Sequence, residues 1–260
     1  LDTKFGFPLG TGQAEEAIVR ALRAPGIDLA GLHFHLGSPI FETEPYVEAV
    51  QIVSEFAAEM QRKHGFVTRH LSPGGGFPIQ YVDVQPAPPV ADYAEAITRA
   101  LRESWDTSLM PLPRLSIEPG RAIVGRAGVA IYKVGATKDI PGVRRYISVD
   151  GGMTDNIRPT LYGARYEATL ANRPPGETAT VTVSGKYCES GDILIKDLVI
   201  TEPRGGDLIA IPASGAYCLP MSSNYNAATR PAVVFASGGE RRLVRRRETV
   251  ADLLAAEVGG

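Results

Sequence analysis

The stretch Gly26-Ile27-Asp28-Leu29-Ala30-Gly31-Leu32-His33-Phe34-His35-Leu36 decides how this chain folds. Its end alternates apolar and polar residues, which predicts a strand with Leu32, Phe34 and Leu36 on one face and His33 and His35 on the other. Downstream, Glu44 to His64 predicts a helix, because Tyr46, Val50, Val53, Ala57 and Met60 recur at steps of three and four. Val67 to Ser72 predicts a second strand that runs into Gly74-Gly75-Gly76. Tyr93 to Trp105 predicts another helix, and Arg114 to Glu118 a third strand. Strands alternating with helices imply a parallel sheet with helices packed outside it. In a barrel built this way the apolar set faces the helices. Both histidines then face inward near the strand's C-terminal end, where such barrels place their active sites.

The pattern changes after Arg121. Ala122 to Val134, Arg145 to Val149, Thr178 to Val183, Asp197 to Thr201 and Asp207 to Ile211 read as short strands between Gly/Pro turns, with no strong helix among them. This predicts an all-β module, a compact barrel or sandwich. The boundary falls between Arg121 and Gly128, dividing residues 1–126 from 127–260. With 27 Lys and Arg against 29 Asp and Glu, the chain lacks the basic excess of a nucleic-acid binder. Hydrophobic residues make up 44%, enough to exclude wholesale disorder. No apolar run approaches the ~20 residues that span a membrane, and the expected setting is cytoplasmic. Cys188 and Cys218 form no disulfide framework, and the four histidines lack metal-ligand spacing, so no metal site is expected. The basic run Arg241-Arg242 and Arg245-Arg246-Arg247 reads as a solvated face.

Three strand ends carry candidate chemistry. His35 is followed by Gly37-Ser38, a turn with a hydroxyl and free amides. Ser72-Pro73-Gly74-Gly75-Gly76-Phe77-Pro78 brings backbone N–H groups close together, either as a plain turn or as a cradle for an anion such as phosphate. It matches neither the dinucleotide fingerprint nor the Walker loop. In Arg114 to Glu118 the alternation turns Ser116 and Glu118 inward. A buried Glu118 needs a partner, which Arg121 or a protonated ring nitrogen on a bound molecule would supply. One flat side chain, two phosphate-friendly loops and one inward acid suit a phosphorylated aromatic heterocycle such as pyridoxal phosphate. A carboxylate at the pyridine nitrogen keeps that ring a good electron sink.

His33-Phe34-His35-Leu36-Gly37-Ser38, Gly74-Gly75-Gly76-Phe77-Pro78 and Glu118-Pro119-Gly120-Arg121 resemble the barrel motifs of the alanine-racemase-fold amino-acid decarboxylases. Asp150-Gly151-Gly152-Met153, Arg158-Pro159-Thr160-Leu161-Tyr162, Cys188-Glu189-Ser190-Gly191-Asp192, Gly215-Ala216-Tyr217, Met221 to Asn226, Arg230-Pro231 and Lys4-Phe5-Gly6 extend the likeness, in order, to the diaminopimelate decarboxylase branch of that family. The resemblance implies α/β plus all-β architecture: the C-terminal part of a pyridoxal-phosphate-binding TIM-type (β/α)8 barrel, followed by a β-barrel or sandwich domain. It implies decarboxylation of meso-2,6-diaminopimelate to L-lysine and CO2 by a homodimer. His35 would stack on the cofactor ring, Ser38 and Gly74, Gly75 and Gly76 would line its phosphate site, and Glu118 would meet its ring nitrogen. Arg121 and Tyr217 would serve cofactor and substrate, Arg158, Tyr162 and Glu189 would hold the substrate's distal end, and Cys188 would donate a proton. The Cys188-Glu189 loop would reach into the neighbouring subunit's site.

The sequence departs from the family pattern at Gly185-Lys186-Tyr187, at Tyr166 and at Phe77-Pro78. None of these carries an assigned role. The resemblance also implies a Schiff-base lysine in an early strand, and none of the six lysines (4, 63, 133, 138, 186 and 196) has that setting. The N-terminal half of the barrel is therefore expected to lie outside this sequence. Other readings are a related decarboxylase of ornithine, arginine or carboxynorspermidine, and a non-catalytic dimerising paralogue.

Overall fold

The computed structural model describes residues 4–106 and 110–258. The chain forms two compact units. The first holds the chain up to Ile79 together with Ala87–Ile123, and the second holds Gln80–Pro86 and the chain from Val124 onward.

In the first unit, α1 (Gln13–Arg23) carries Glu15 and Glu16 in its first turn and Arg20 and Arg23 in its last, which complements the helix dipole. Strands β1 (Gly31–His33), β2 (His70–Ser72) and β3 (Arg114–Leu115) pair in parallel in that order. Helix α2 (Glu44–His64) follows β1, and α3 (Val90–Asp106) follows β2. The helical period in α2 sets Tyr46, Val50, Ala57 and Met60 on its buried face. They pack with Leu71 of β2, Leu32 and Phe34. Three rings hold the centre of this core. Tyr46 stacks on Phe77 with centroids 5.4 Å apart, and Tyr93 meets both edge-on at 5.7 and 5.5 Å. Burial pushes the Tyr46 and Tyr93 phenols up to about 12. Both spend their protons on loop carbonyls, Tyr46 Oη on Gly75 O (2.8 Å) and Tyr93 Oη on Ile40 O (2.8 Å). The apolar core thereby sets the height of the loops above it.

The expected strand from Ala122 does not begin there. Pro119 opens a helical turn, α4 (Gly120–Val124), with Ile123 N donating to Pro119 O, and extended backbone resumes only at Ala130. Helix α1 escaped the sequence reading, although Ala14 and Ile18, its buried residues, stand four apart.

The second unit is built on β4 (Ala130–Ile140), β5 (Arg144–Val149), β6 (Thr169–Leu170), β7 (Thr178–Ser184), β8 (Ile193–Thr201) and β9 (Leu208–Ile211), in sheet order β6-β9-β4-β5-β7-β8. Only β5 and β7 pair in parallel. An irregularity between Val134 and Thr137 lets β4 pair with β9 through its first half and with β5 through its second. The edge strands β6 and β8 pack together, so the sheet curls into a nearly closed barrel. Its interior is filled by Val134, Ile147, Val183, Leu194, Ile209 and Ile211, each no more than 2% exposed. Helix α5 (Arg158–Tyr162) stands after β5. Strands β10 (Val233–Ser237) and β11 (Glu240–Arg245) form a separate hairpin through Gly238-Gly239, before the short α6 (Val250–Leu253). Part of the basic run is paired, with Arg245 on Glu248 and Arg246 on Asp252. None of the described helices is long and apolar enough to cross a membrane.

Leu71 is the wholly buried residue of the central strand β2. Leu71→Ala is expected to cost about 3 kcal/mol of unfolding free energy in urea titration. An unchanged midpoint would contradict this packing.

Candidate functional site

In the first unit the sheet separates its residues as the alternation predicts. Leu32, Phe34, Leu71 and Leu115 face the helices, while His33, His35, His70, Ser116 and Glu118 are exposed or half-buried on the other side. Three loops leave the C-terminal ends of the strands and are tied to one another. Ile40 N donates to Gly76 O and Glu118 N donates to Gly74 O, both at 2.9 Å. Gly74 sits at φ +74°, and a Cβ there would stand 2.8 Å from His35 Nδ1. Only glycine lets the loop take this path beside the imidazole. Gly75 N then donates to His35 Nδ1 at 3.3 Å, which leaves the proton of a neutral ring on Nε2. Arg121 is buried, and its Nη2 donates to Ser38 Oγ at 3.1 Å.

Glu118 differs from expectation in two respects. It is 59% exposed rather than buried, and the group beside its carboxylate is His33, with Nε2 3.2 Å from Oε1. Arg121 points to Ser38 instead. His33 lies two residues before His35, so it shares the polar face, and that is the signal that could have found it.

The residues on this face fit pyridoxal phosphate. A cation and a hydroxyl joined at 3.1 Å, glycine-rich backbone, a carboxylate and a flat imidazole that accepts from the glycine loop all lie at the strand ends of this sheet. The lysines of this unit are Lys4 and Lys63, and Lys63 is engaged by Glu15 and Glu59 on the helices.

The second unit gathers its candidate residues around Asp192. This carboxylate is buried and accepts from Met153 N (2.7 Å) and Tyr187 N (2.9 Å). Burial raises its pKa, opposed by those two N–H donors. A Cβ at Gly152 would lie 2.5 Å from its Oδ1, so glycine is required for the backbone to come this close. Gly185 N to Asp192 O and Lys186 N to Gly151 O complete the clasp between the 151–153 and 185–192 loops. Cys188 and Glu189 stand exposed at the tip, with Asn226 Nδ2 3.7 Å from Cys188 Sγ and Tyr225 Oη donating to Glu189 Oε1.

Arg158, on α5, is only 5% exposed. Its guanidinium lies 4.8 Å from the Tyr81 ring centroid and 5.6 Å from that of Tyr166, and Nη1 donates to Tyr166 Oη. Burial pushes the Tyr166 phenol well up. Tyr166 marks a departure from the family pattern, and here it is the residue that holds Arg158. No carboxylate among the described residues forms an ion pair with Arg158. Tyr162 closes the same helix, 65% exposed, and Tyr217 is exposed in a left-handed conformation at φ +60°. Among the described residues no group of three His, Cys, Asp or Glu could hold a metal ion.

These features define a pyridoxal-binding barrel domain joined to a β domain. Residues 1–125 match the family model described as the pyridoxal binding domain of pyridoxal-dependent decarboxylases. Beyond that class, the chain is similar along nearly its whole length to diaminopimelate decarboxylases. It is 45% identical over 254 residues to the enzyme of that name from Bacillus subtilis (strain 168), covering 97% of this chain and 58% of the relative. The diaminopimelate decarboxylase of M. jannaschii in complex with L-lysine superposes with a TM-score of 0.94 at 33% identity, over 100% of this chain and 58% of that one. A lysine/ornithine decarboxylase from Vibrio vulnificus, complexed with cadaverine, is more distant at 27% identity and a TM-score of 0.75, covering 88% and 60%. The chain thus spans a little under three-fifths of the length of the diaminopimelate decarboxylases it matches.

Sequence reasoning singled out Asp192 only as part of a motif and gave Met221 to Asn226 no role. The structure makes Asp192 the anchor of the Cys188 loop. It also ties Asn224 to that loop's surroundings through Glu248, which accepts from Asn224 Nδ2, Arg230 N and Arg230 Nε at 2.7–2.8 Å. The Arg230 backbone N–H is the first cause of a Glu248 pKa below the ordinary 4.5, and Asn224 and the Arg230 charge add to it. A carboxyl whose pKa is lower folded than unfolded contributes stability above its unfolded value, and that contribution disappears as pH falls through the folded value. Glu248→Gln should therefore lower Tm by about 2 °C at pH 7. The difference from wild type should fade below pH 4.5 in scanning calorimetry. A difference that persists unchanged at pH 3 would contradict this assignment.

Proposed function

We propose that the protein carrying this chain decarboxylates meso-2,6-diaminopimelate to L-lysine and CO2 with pyridoxal phosphate, as a cytoplasmic homodimer. The observation that carries this reading is the 45% identity along 97% of the chain to a diaminopimelate decarboxylase. Bound pyridoxal phosphate supplies an electron sink for the pair left behind when the carboxylate departs. The side chains in this chain do the rest.

In the first unit His35 presents its ring face to the cofactor. Ser38, Arg121 and the backbone of Gly74, Gly75 and Gly76 receive phosphate, and Glu118 receives the ring N–H. His33, beside Glu118, keeps that carboxylate turned onto the sheet face. In the second unit Arg158 binds the distal carboxylate of the substrate. Its buried guanidinium is held by tyrosines rather than by an acid, so its charge is available to an anionic ligand. Glu189 receives the distal ammonium, and Tyr162 and Tyr217 flank the bound amino acid. Once the C–C bond to the departing carboxyl group breaks, Cys188 Sγ gives its proton to the carbon that carried it, and solvent reprotonates the thiolate. A thiol suits this step because its ordinary pKa of about 8.5 lies near neutrality. The exposed position of Cys188 and Glu189 at a loop tip supports their delivery into the neighbouring subunit's site.

The test is CO2 release by the full-length protein from meso-diaminopimelate and from ornithine. At least a hundredfold preference in kcat/KM for the former is expected, because ornithine lacks the carboxylate that Arg158 would bind. Equal or inverted preference would overturn the substrate assignment. Cys188→Ala should lower kcat by about a hundredfold or more while the cofactor absorbance is retained. Unchanged turnover would remove Cys188 from the mechanism.

A further inference from the structure

The segment Met221 to Asn226 has no part in the roles given so far, yet two of its side chains end on the two functional residues of the Cys188 loop. Tyr225 Oη donates to Glu189 Oε1, and Asn226 Nδ2 stands 3.7 Å from Cys188 Sγ. The backbone is bent to make this happen. Asn226 and Ala227 both adopt left-handed φ, +53° and +55°. Asparagine tolerates that region, whereas alanine adopts it at a cost, so surrounding contacts must hold the turn. Those contacts are visible. Asn224 Nδ2 donates to Ala228 O (2.9 Å) and to Glu248 Oε2, Ser223 N donates to Thr154 O (3.0 Å), and Thr154 Oγ1 and Tyr187 Oη lie 2.5 Å apart. The Tyr187 ring in turn meets the Tyr225 ring at 6.3 Å.

We propose that Tyr225 and Asn226 are positioning residues for the decarboxylation, Asn226 orienting the Cys188 thiol for proton delivery and Tyr225 orienting the Glu189 carboxylate for the distal ammonium. This deepens the reading of the preceding section and rests on it for the reaction, though not for the contacts. An amide N–H directed at sulfur favours the thiolate and fixes the side chain about χ1. It thereby turns a mobile exposed thiol into an acid with one direction of delivery. A phenol donating to one oxygen of Glu189 fixes the direction of that carboxylate and leaves its second oxygen for an ammonium ion. The ionisable groups around the thiol are Glu189 on its own loop and Tyr225 opposite, with Lys186 and Asp192 at the base of the loop. Of these, Glu189 and Asp192 are acidic and Lys186 is basic, and Asn226 supplies the neutral N–H donor directed at the sulfur.

The experiment measures the rate of iodoacetamide alkylation of Cys188 against pH in the full-length protein, with Cys188→Ala as the blank for Cys218. Removing the N–H in Asn226→Ala should move the alkylation midpoint upward by about half to one pH unit. Asn226→Asp, which puts a charged acceptor in the same place, should move it at least as far. The same two variants should lower kcat with KM for meso-diaminopimelate little changed, and shift the alkaline limb of the kcat profile in the same direction. Tyr225→Phe should show the converse, a several-fold rise in KM with the alkylation midpoint close to wild type. Tm within 2 °C of wild type shows that each variant is folded. Where it falls further, Asn226→Gln, which keeps the amide, should restore the midpoint at least in part. An alkylation midpoint unmoved in both Asn226→Ala and Asn226→Asp overturns the positioning role whatever the activity. A midpoint that moves in an enzyme whose turnover is indifferent to Cys188→Ala overturns instead the role given to Cys188 in the reaction.

Discussion

The second unit depends on one buried carboxylate. Asp192 sits inside a turn of its own chain and takes N–H bonds from Met153 and Tyr187, which come from loops nearly forty and five residues away. An ionised carboxylate out of water is costly unless its oxygens are satisfied, and this one is satisfied by backbone alone. Backbone donors cannot swing away as side chains do. The cost of burying the charge therefore becomes a geometric constraint, and it fixes where Cys188 and Glu189 stand four and three residues earlier. Gly152 and Gly185 are the corollary, since a Cβ at either would lie within 2.5 Å of the Asp192 side chain.

A comparable logic governs the first unit with apolar material. Tyr46, Phe77 and Tyr93 form a tight ring cluster beneath the strand ends, and the two phenols are anchored on the carbonyls of Gly75 and Ile40. The glycine loop is held from below by these bonds and from the side by Gly74 O, which accepts from Glu118 N. Loops that carry binding groups thus gain rigidity from the core as well as from the ties between them. That leaves His35, Ser38 and Glu118 turned to the open face, in keeping with a surface that receives a ligand having an acidic and a cationic end.

Much of this was legible in the residues because it rests on local periodicity. The helix from Glu44 to His64 follows from apolar steps of three and four, and the two faces of the first strand follow from alternation through Leu32 and His35. What escaped depends on pairings that no local pattern encodes. The partner of Glu118 is a histidine 85 positions earlier, and Arg121, three positions away, turned elsewhere. Arg158 is held by Tyr81 and by Tyr166, which the sequence marked only as a departure from the family pattern, without a role. The strand expected from Ala122 failed because Pro119 starts a helical turn that a short window of β-branched residues conceals. Asp192 and Asn226 were quoted in motifs, but their work is visible only once the loops are brought together.

The central claim is that the Asp192 carboxylate holds the loop bearing Cys188 and Glu189. Hydrogen exchange at the Met153 and Tyr187 amides tests it most directly. Both amides are predicted to be protected in the wild-type protein, and Asp192→Ala is predicted to accelerate their exchange at least tenfold while leaving Ile147 and Val183, in the barrel strands, slow. Rapid exchange in the wild type, or protection that survives Asp192→Ala, would contradict the account.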